Sequence, residues 1–314
     1  MSFQKKAAII GCDGQDGRLL YDLLSRKGYA LLGIARGRTR SNMSHRKRPI
    51  DISKARSVFD LVRRFQPHEI YYLAAFHHSA QDSPMDLLKL FQKSQEVHVL
   101  SLVNFLEAVR RFSKTTRLFY AASSHVFGSP KAPVQDETTP LAPNNVYGIT
   151  KAAGLMTCRH YRDQHGLFAS VGILYNHESS LRDPGFVSQK IVQGAINIRK
   201  GRQDRLVLGN LAAEVDWGYA PDYVEAMHRI LNHSKADDFV ISSGEKHTVR
   251  DFVKRVCARL GLDWRSCVRE NRGVLTKQTM SLVGSSQKLM RLTGWKPSVD
   301  FEGLVESMLK DARS

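Results

Sequence analysis

A short glycine-rich segment near the start of the chain constrains the fold most strongly. Residues 11–17 read Gly-Cys-Asp-Gly-Gln-Asp-Gly, which places three glycines in GxxGxxG spacing. An apolar run at residues 6–10 precedes the segment and an amphipathic run at residues 18–27 follows it, so the pattern predicts a strand, a tight turn and a helix. Such a turn lets the backbone approach a pyrophosphate, and the helix start offers N–H donors. The sequence therefore predicts a dinucleotide-binding fold.

Apolar runs and helical patterns alternate through the first half of the chain, which favours an α/β fold with a parallel sheet. The strands are predicted at 6–10, 30–35, 69–73, 117–121 and 168–174, and the helices at 18–27, 53–65 with Ser53 as N-cap, 87–112 and 146–165. After Leu174 the alternation weakens, with one helix expected within 176–215, a strand at 240–243, a helix at 249–260 and a turn at 294–297 before the last helix. We expect a cofactor-binding domain over residues 1–175 with a return segment near 215–242, and a smaller α/β substrate domain mainly over 176–314.

The composition narrows the classes of function. The chain has 47 Lys and Arg against 30 Asp and Glu, a net charge of +17, but most of the basic residues are scattered. A polyanionic small molecule accounts for this excess better than nucleic acid does. No apolar run approaches the ~20 residues of a membrane helix and no signal peptide is recognisable, so a cytoplasmic protein is expected. The four cysteines have no metal-ligand spacing, which favours free thiols and no metal.

The end of the second predicted strand bears on the choice of cofactor. A site that prefers NAD places an acidic residue there to accept hydrogen bonds from the ribose 2′-hydroxyl, whereas this chain has Arg36 and Arg38. Because arginine pairs with a 2′-phosphate, the sequence favours NADP. Further along, Asp51 and Ile52 are candidates for holding the adenine edge.

A YxxxK pair supplies the first catalytic candidates. Tyr147 and Lys151 lie one turn apart on a predicted helix, so the ammonium can lower the pKa of the phenol and let it take a proton from a substrate hydroxyl. Upstream, Ser123 ends a predicted strand and can share the same substrate oxygen. A hydrogen-bonding hydroxyl and a Tyr-Lys pair in this order indicate acid-base chemistry coupled to hydride transfer.

These motifs together resemble the extended short-chain dehydrogenase/reductases, and within that group the sequence is similar to the GDP-mannose 4,6-dehydratase family. The resemblance covers nearly the whole chain, and its most specific segments are 14–17, 73–75, 174–179, 208–211, 216–218 and 222–226. It implies a Rossmann-type doubly wound sheet, bound NADP, a nucleotide-sugar substrate, most simply a GDP-sugar, and a homodimer or homotetramer. The reaction it implies oxidises C4, removes the C5 proton, expels water from C6 and returns hydride to C6.

The resemblance and the motifs assign the site residues. The predicted catalytic residues are Ser123, His125, Tyr147 and Lys151. The predicted cofactor-binding residues are Gly11, Gly14, Gln15, Asp16, Gly17, Arg36, Asp51, Ile52, Leu73, Ala74, Ala75, Tyr147, Lys151, His177 and Arg182. The predicted substrate-binding residues are His77, His78, Asn176, Lys190, Gly209 and Asn210.

The chain departs from the family where the chemistry occurs. His125 stands where the family has a catalytic Glu, His77 stands where it has Ser, and the later Arg-Pro-x-Glu clamp is absent near residues 276–281. Three interpretations stay open: a dehydratase that uses His125 as its base, a 4-keto reductase or epimerase, and a cofactor-binding partner without turnover. We hypothesise that His77 and His125 flank the sugar as acid and base; the alternative is that each is a packed or solvated histidine.

Overall fold

The structure, a computed structural model, describes residues 4–42, 49–77, 85–271, 273 and 281–311. In this part of the chain the strands are β1 (Lys6–Ile10), β2 (Ala30–Ala35), β3 (Arg38–Ser41), β4 (Glu69–Tyr72), β5 (Arg117–Ser123), β6 (Ala169–Leu174), β7 (Asn176–Glu178), β8 (Leu206–Leu208), β9 (Glu214–Tyr219), β10 (Asp238–Ile241), β11 (Lys246–Thr248) and β12 (Val268–Glu270). The helices are α1 (Gln15–Arg26), α2 (Ala55–Phe65), α3 (Leu87–Gln95), α4 (Ser101–Phe112), α5 (Val146–His165), α6 (Val187–Arg199), α7 (Ala220–Asn232), α8 (Val249–Leu260), α9 (Trp264–Cys267), α10 (Gln287–Thr293) and α11 (Phe301–Asp311).

A seven-stranded sheet with the order β10-β6-β5-β4-β1-β2-β3 forms the centre of the fold. Its strands run parallel except for β3, which pairs antiparallel with β2 at one edge. The order reverses between β1 and β4, and in sheets of this type ligands bind beyond the carboxyl ends of the strands at that reversal. The predicted α/β fold class with a parallel sheet is confirmed.

Helices cover both faces of this sheet. On one face α2, α4 and α5 bury side chains such as Val62, Phe105 and Leu155, and on the other α1 and α7 bury side chains such as Leu20 and Met227. Because both faces are covered, inner strands such as β1, β2 and β6 consist mainly of apolar residues, which is why they read as continuous runs in the sequence.

A separate cluster of buried residues organises the later part of the chain. Helices α6, α8 and α11 pack around Trp217 and Phe252, whose ring centres lie 5.0 Å apart. Two small sheets, β11-β9-β7 and β12-β8, flank this cluster. Helix α7 and strand β10 return to the central sheet, and β10 pairs with β6. The domain bounds given above stay a prediction.

One interruption in the long helical stretch matters for the site. Residues Glu96–Leu100 form a π-helical turn between α3 and α4, in which the N–H of Ser101 bonds to the carbonyl of Glu96. Such turns carry one residue more than an α-helical turn and occur often at functional sites. Hydrophobic periodicity predicts the helix but cannot show this turn.

One local expectation was wrong, and some short elements were not predicted. Ser53 is not the N-cap of α2, because that position is Lys54 and the Ser53 hydroxyl instead donates to Asp51 at 2.7 Å. The edge strand β3 and the short helix α10 were not expected at all. The first has charged and polar residues that give no strand signal, and the second is only two turns long.

Every helix in the described ranges is too short or too polar to cross a bilayer. All four cysteines are buried thiols. Among the described residues, no three His, Cys, Asp or Glu side chains are grouped so that they could hold a metal ion.

Candidate active site

The glycine loop closes tightly on the end of β4. Gly11 has a φ of +94°, and a Cβ there would lie 2.9 Å from the backbone nitrogen of Ala74. A Cβ on Gly17, in the first turn of α1, would overlap the carbonyl oxygen of Gly11. Both positions therefore require glycine. The close approach directs the first turn of α1 at the crevice between β1 and β4, where its N–H groups fit a phosphate.

A cleft of about 1170 Å³ runs from this loop across the carboxyl ends of the central strands. The predicted cofactor-binding residues on its wall are Gly11, Gly14, Gln15, Asp16, Arg36, Asp51, Ile52, Leu73, Ala74, Ala75, Tyr147, Lys151, His177 and Arg182. Gly17 packs behind the wall against the loop itself. The same cleft is lined by Ser123, His125, His77 and Asn176. The structure thus brings the cofactor and catalytic candidates to one cavity.

Three predicted substrate-binding residues are not part of this wall, and a fourth is not described. Lys190 lies on α6, and Gly209 and Asn210 follow β8; none of the three lines the cleft. His78 lies outside the described residues. The roles assigned to these four residues stay predictions.

A buried ion pair joins the glycine loop to the segment after β6. The His177 ring donates from Nδ1 to the carbonyl of Tyr175 at 2.7 Å, and its Nε2 lies 2.9 Å from the carboxylate of Asp16. Both ring nitrogens thus face oxygen atoms, which is the arrangement that a ring donating from both nitrogens would satisfy. Burial works against ionisation of Asp16, but His177 and Arg182 outweigh it, and the pKa of Asp16 lies below its usual range.

Further contacts fix the same segment over the cleft. The side chain of Gln15 donates to the carbonyl of residue 177 at 3.0 Å and accepts from Ser179 at 2.8 Å. Arg182 pairs with buried Glu178 at 3.2 Å and stacks on the ring of Phe186 at 3.6 Å. The start of α1 and these contacts therefore hold in place the segment whose residues Arg182 and Phe186 line the catalytic end of the cleft.

Tyr147 and Lys151 lie one turn apart on α5, as their spacing predicts. Lys151 is buried, and its ammonium nitrogen lies 2.7 Å from the carbonyl oxygen of Ala121 and 5.7 Å from the centre of the Tyr147 ring. Burial lowers the pKa of Lys151 to about 7, against the opposing effect of Asp16. Burial raises the pKa of Tyr147 to about 12, although a hydrogen bond with Ser123 acts in the opposite direction. A phenolate at Tyr147 therefore needs a positive charge nearby.

Three imidazole rings surround Tyr147. The ring centres of His77, His98 and His125 lie 5.6, 5.3 and 5.7 Å from the ring centre of Tyr147, and all three rings meet it edge-on. His77 and His125 line the cleft, whereas His98 is buried. The two histidines that replace the family's polar residues are thus brought to the same tyrosine.

His98 is a site residue that the sequence did not identify. Its Nε2 accepts the backbone N–H of Phe76 at 2.9 Å, so its Nδ1 carries the proton and donates to the hydroxyl of Thr150 at 2.8 Å. That hydroxyl in turn donates to the carbonyl of Val146. Burial lowers the pKa of His98 to about 2, so the ring is neutral. The available signal was a histidine flanked by two valines in an apolar helical stretch, which is more often a core residue.

Comparisons with known proteins agree on one family. A family model described as GDP-mannose 4,6 dehydratase matches residues 8–308. GDP-mannose 4,6 dehydratase 2 of Arabidopsis thaliana is 36% identical over 329 residues, which cover 98% of this chain and 87% of that protein.

Solved structures share the fold at lower identity. RMD from Pseudomonas aeruginosa, complexed with NADPH, has a TM-score of 0.81 at 21% identity, over 99% of this chain and 100% of that one. The dTDP-glucose 4,6-dehydratase of Bacillus anthracis, in complex with NAD, has a TM-score of 0.82 at 18% identity, and the match covers 98% of this chain and 96% of that one. The fold is therefore shared with proteins whose structures were solved in complex with NADPH or NAD.

We expect Lys151→Met to alter how stability depends on pH. The pKa of Lys151 falls from 10.5 to about 7 on folding, so above about pH 7 the folded chain binds fewer protons at this group than the unfolded chain. The wild type should therefore gain stability relative to the variant as the pH rises above about 7, by up to about 1.4 kcal/mol per pH unit. Urea unfolding at several pH values measures this difference. The exposed Lys235→Met variant is the control, and a Lys151→Met variant that keeps the wild-type pH dependence would contradict the prediction.

Proposed function

The chain belongs to the GDP-mannose 4,6-dehydratase family, and from that membership we propose that it is an NADP-dependent dehydratase that acts on a GDP-sugar. The reaction would convert a GDP-hexose into its 4-keto-6-deoxy derivative with loss of water. The observation that carries the proposal is the placement of Ser123, Tyr147 and Lys151 in the same cleft as the glycine loop.

The cleft fits a dinucleotide with an additional phosphate. The glycine loop presents the first turn of α1, and a side chain at Gly11 or Gly17 would clash with the backbone that holds this turn in place. The N–H groups of such a turn bind phosphate. Arg36 is exposed at the end of β2 and, with Arg18, lines the adjoining wall, which supports recognition of a 2′-phosphate. When bound, the cofactor supplies the hydride acceptor and donor.

Tyr147 is the group that takes the proton of the C4 hydroxyl as that carbon is oxidised. Its pKa of about 12 in the buried site means that the phenolate has to be stabilised, and Lys151 is the cation placed to do so. Ser123, which hydrogen-bonds Tyr147, would hold the same substrate oxygen. Together they define where C4 of the sugar lies.

The elimination needs a group that removes the C5 proton and a proton for the departing C6 oxygen. No carboxylate stands at position 125, and Asp16 is already engaged by His177. His77 and His125 line the cleft, and their ring centres lie 5.6 and 5.7 Å from that of Tyr147. Imidazole groups can serve as acids, bases or hydrogen-bond donors in catalysis. We infer that these two rings take the place of the one carboxylate that the rest of the family uses.

An exposed apolar surface supports the proposal that two copies associate. It comprises Leu87, Leu88, Phe91 and Leu100 from the segment around α3 and Ile149 and Met156 from α5. The two helices pack side by side, so these side chains form one surface. Exposed apolar patches of this kind mark protein interfaces, and we infer a homodimer formed through α3 and α5.

The proposed function makes a first prediction about turnover. Pure protein incubated with NADP⁺ and GDP-mannose should form a product lighter than the substrate by one water, as measured by mass spectrometry. Tyr147→Phe keeps the ring among the three imidazoles but should lower kcat by at least about 100-fold, because general acid-base catalysis at C4 is lost. A protein that binds NADPH and forms no dehydrated product would contradict the dehydratase proposal and favour a reductase or epimerase, for which a 4-keto sugar is the next substrate to try.

The second prediction concerns cofactor choice. Arg36→Ala should weaken NADP⁺ binding by roughly 10-fold to 100-fold, because one charge-assisted pair contributes about 1.5–3 kcal/mol, and should leave NAD⁺ binding nearly unchanged. Calorimetric titration with both cofactors measures the ratio of dissociation constants. Arg26→Ala, an exposed arginine in the last turn of α1, is the matched control. Equal losses for both cofactors would show that Arg36 does not recognise a 2′-phosphate.

The third prediction concerns assembly. Met156 is 61% exposed and Leu88 64% exposed, so the double variant Leu88→Asp, Met156→Glu should place two charges in the interface and yield monomers in sedimentation analysis. Val134→Glu, which changes an apolar residue that is 48% exposed outside this surface, should remain a dimer. A wild-type protein that is monomeric at micromolar concentration would refute the inferred interface.

A further inference from the structure

The geometry around Asn145 assigns the proton on His125. Asn145 is the N-cap of α5, and its side-chain oxygen accepts the backbone N–H of Gly148 at 2.9 Å. The amide nitrogen of the same side chain lies 3.3 Å from Nδ1 of His125. Because only the oxygen can accept from Gly148, the cap fixes which end of the amide faces the imidazole.

Because the amide NH₂ group of Asn145 is a donor, Nδ1 of His125 has to accept a hydrogen bond from it. A neutral His125 therefore carries its proton on Nε2. A positively charged ring would place a second donor against the amide NH₂ group. The N-terminus of α5, a helix of 20 residues, adds a partial positive charge that also disfavours an imidazolium at this place.

The backbone holds His125 against this helix start. A Cβ on Gly148 would lie 2.5 Å from the carbonyl oxygen of His125, and the same oxygen accepts the N–H of Gly128 at 3.3 Å. The N–H of His125 in turn donates to the hydroxyl of Ser123. The backbone of His125 is therefore held between the strand end that carries Ser123 and the start of α5, which places its ring within reach of Asn145.

We propose that Asn145 is a positioning residue that keeps His125 neutral with its proton on Nε2, so that His125 donates a hydrogen bond to the sugar and does not act as the base. The inference rests on the proposed function and assigns both proton transfers of the elimination to His77. His77 then takes the C5 proton as the C5–H bond breaks, and returns that proton to the C6 oxygen as the C6–O bond breaks and water leaves. His125 stabilises the charge that develops on a sugar oxygen, as a neutral imidazole donor can.

Two substitutions separate the capping role of Asn145 from its effect on His125. Asn145→Asp retains an oxygen for the cap and turns a second oxygen toward Nδ1. In the neutral ring, which is obtained at alkaline pH, this oxygen draws the proton to Nδ1 and removes the donor at Nε2. Asn145→Ser retains the cap with a shorter side chain that no longer dictates the proton position. Both Asp and Ser are good N-caps, so both proteins should fold with nearly wild-type stability.

The first measurement needs no turnover. Nuclear magnetic resonance of isotope-labelled histidine, with the signal of His125 identified by its loss in His125→Gln, should show the proton on Nε2 in the wild type and on Nδ1 in Asn145→Asp. A wild-type ring protonated on Nδ1 would overturn the inference. Because this readout uses the resting protein, it tests the inference even if GDP-mannose is not the substrate.

The second measurement is kinetic. If the wild type dehydrates GDP-mannose, Asn145→Asp should lower kcat by roughly 100-fold, as the loss of one preorganised donor does, while Asn145→Ser should lower it much less. His77→Gln should lower kcat more than His125→Gln does. An Asn145→Asp variant that is as active as the wild type or more active would show that Nε2 of His125 is the base. Absence of product with the wild type would refute the proposed function and leave the resonance result to decide the inference.

Discussion

The first turn of α1 reaches the glycine loop only because Gly17 presents no Cβ to the carbonyl oxygen of Gly11. That contact determines where Asp16 lies, since it is the neighbouring residue, and so where the ion pair with His177 forms. His177 begins the segment that carries Arg182 across the cleft. The close packing of Gly11 and Gly17 thus fixes the position of Asp16. Through the pair between Asp16 and His177, it also fixes the segment that lines the catalytic end of the cleft.

The same carboxylate couples the cofactor end to the catalytic pair electrostatically. Asp16 raises the pKa of Lys151 and also that of Tyr147, so it favours the charged ammonium and disfavours the phenolate. The histidine at position 125 adds no negative charge there, which lessens the cost of forming the phenolate compared with a carboxylate at that place. Exchange of a carboxylate for an imidazole therefore changes the electrostatics of Tyr147 as well as the identity of the base.

Much of the fold follows from the sequence because it depends on local periodicity. The strand at 6–10 and the helices at 146–165 and 249–260 have the predicted bounds, since each is a continuous apolar run or begins at a capping residue. The meeting of Ser123, Tyr147 and Lys151 could also be anticipated, because the ends of parallel strands share one edge. The role of His98 could not, because it depends on a π-helical turn and on hydrogen bonds to residues 22 positions before it and 52 positions after it. For the same reason the wall of the cleft excludes Lys190, Gly209 and Asn210, whose position depends on how the later part of the chain packs.

The π-helical turn at residues 96–100 also constrains the number of residues that can separate α3 from α4. An α-helix advances by about 100° per residue, so deletion of one residue from the turn would rotate everything that follows by that angle. Either the apolar side chains of α4 would then turn out of the core that they form with α2, or His98 would lose its hydrogen bonds with the N–H of Phe76 and the hydroxyl of Thr150. Insertions and deletions elsewhere on the surface can be absorbed by loops. At this turn the one additional residue sets both the register of α4 in the hydrophobic core and the position of His98, so that a change of length here would disturb the core and the active site together.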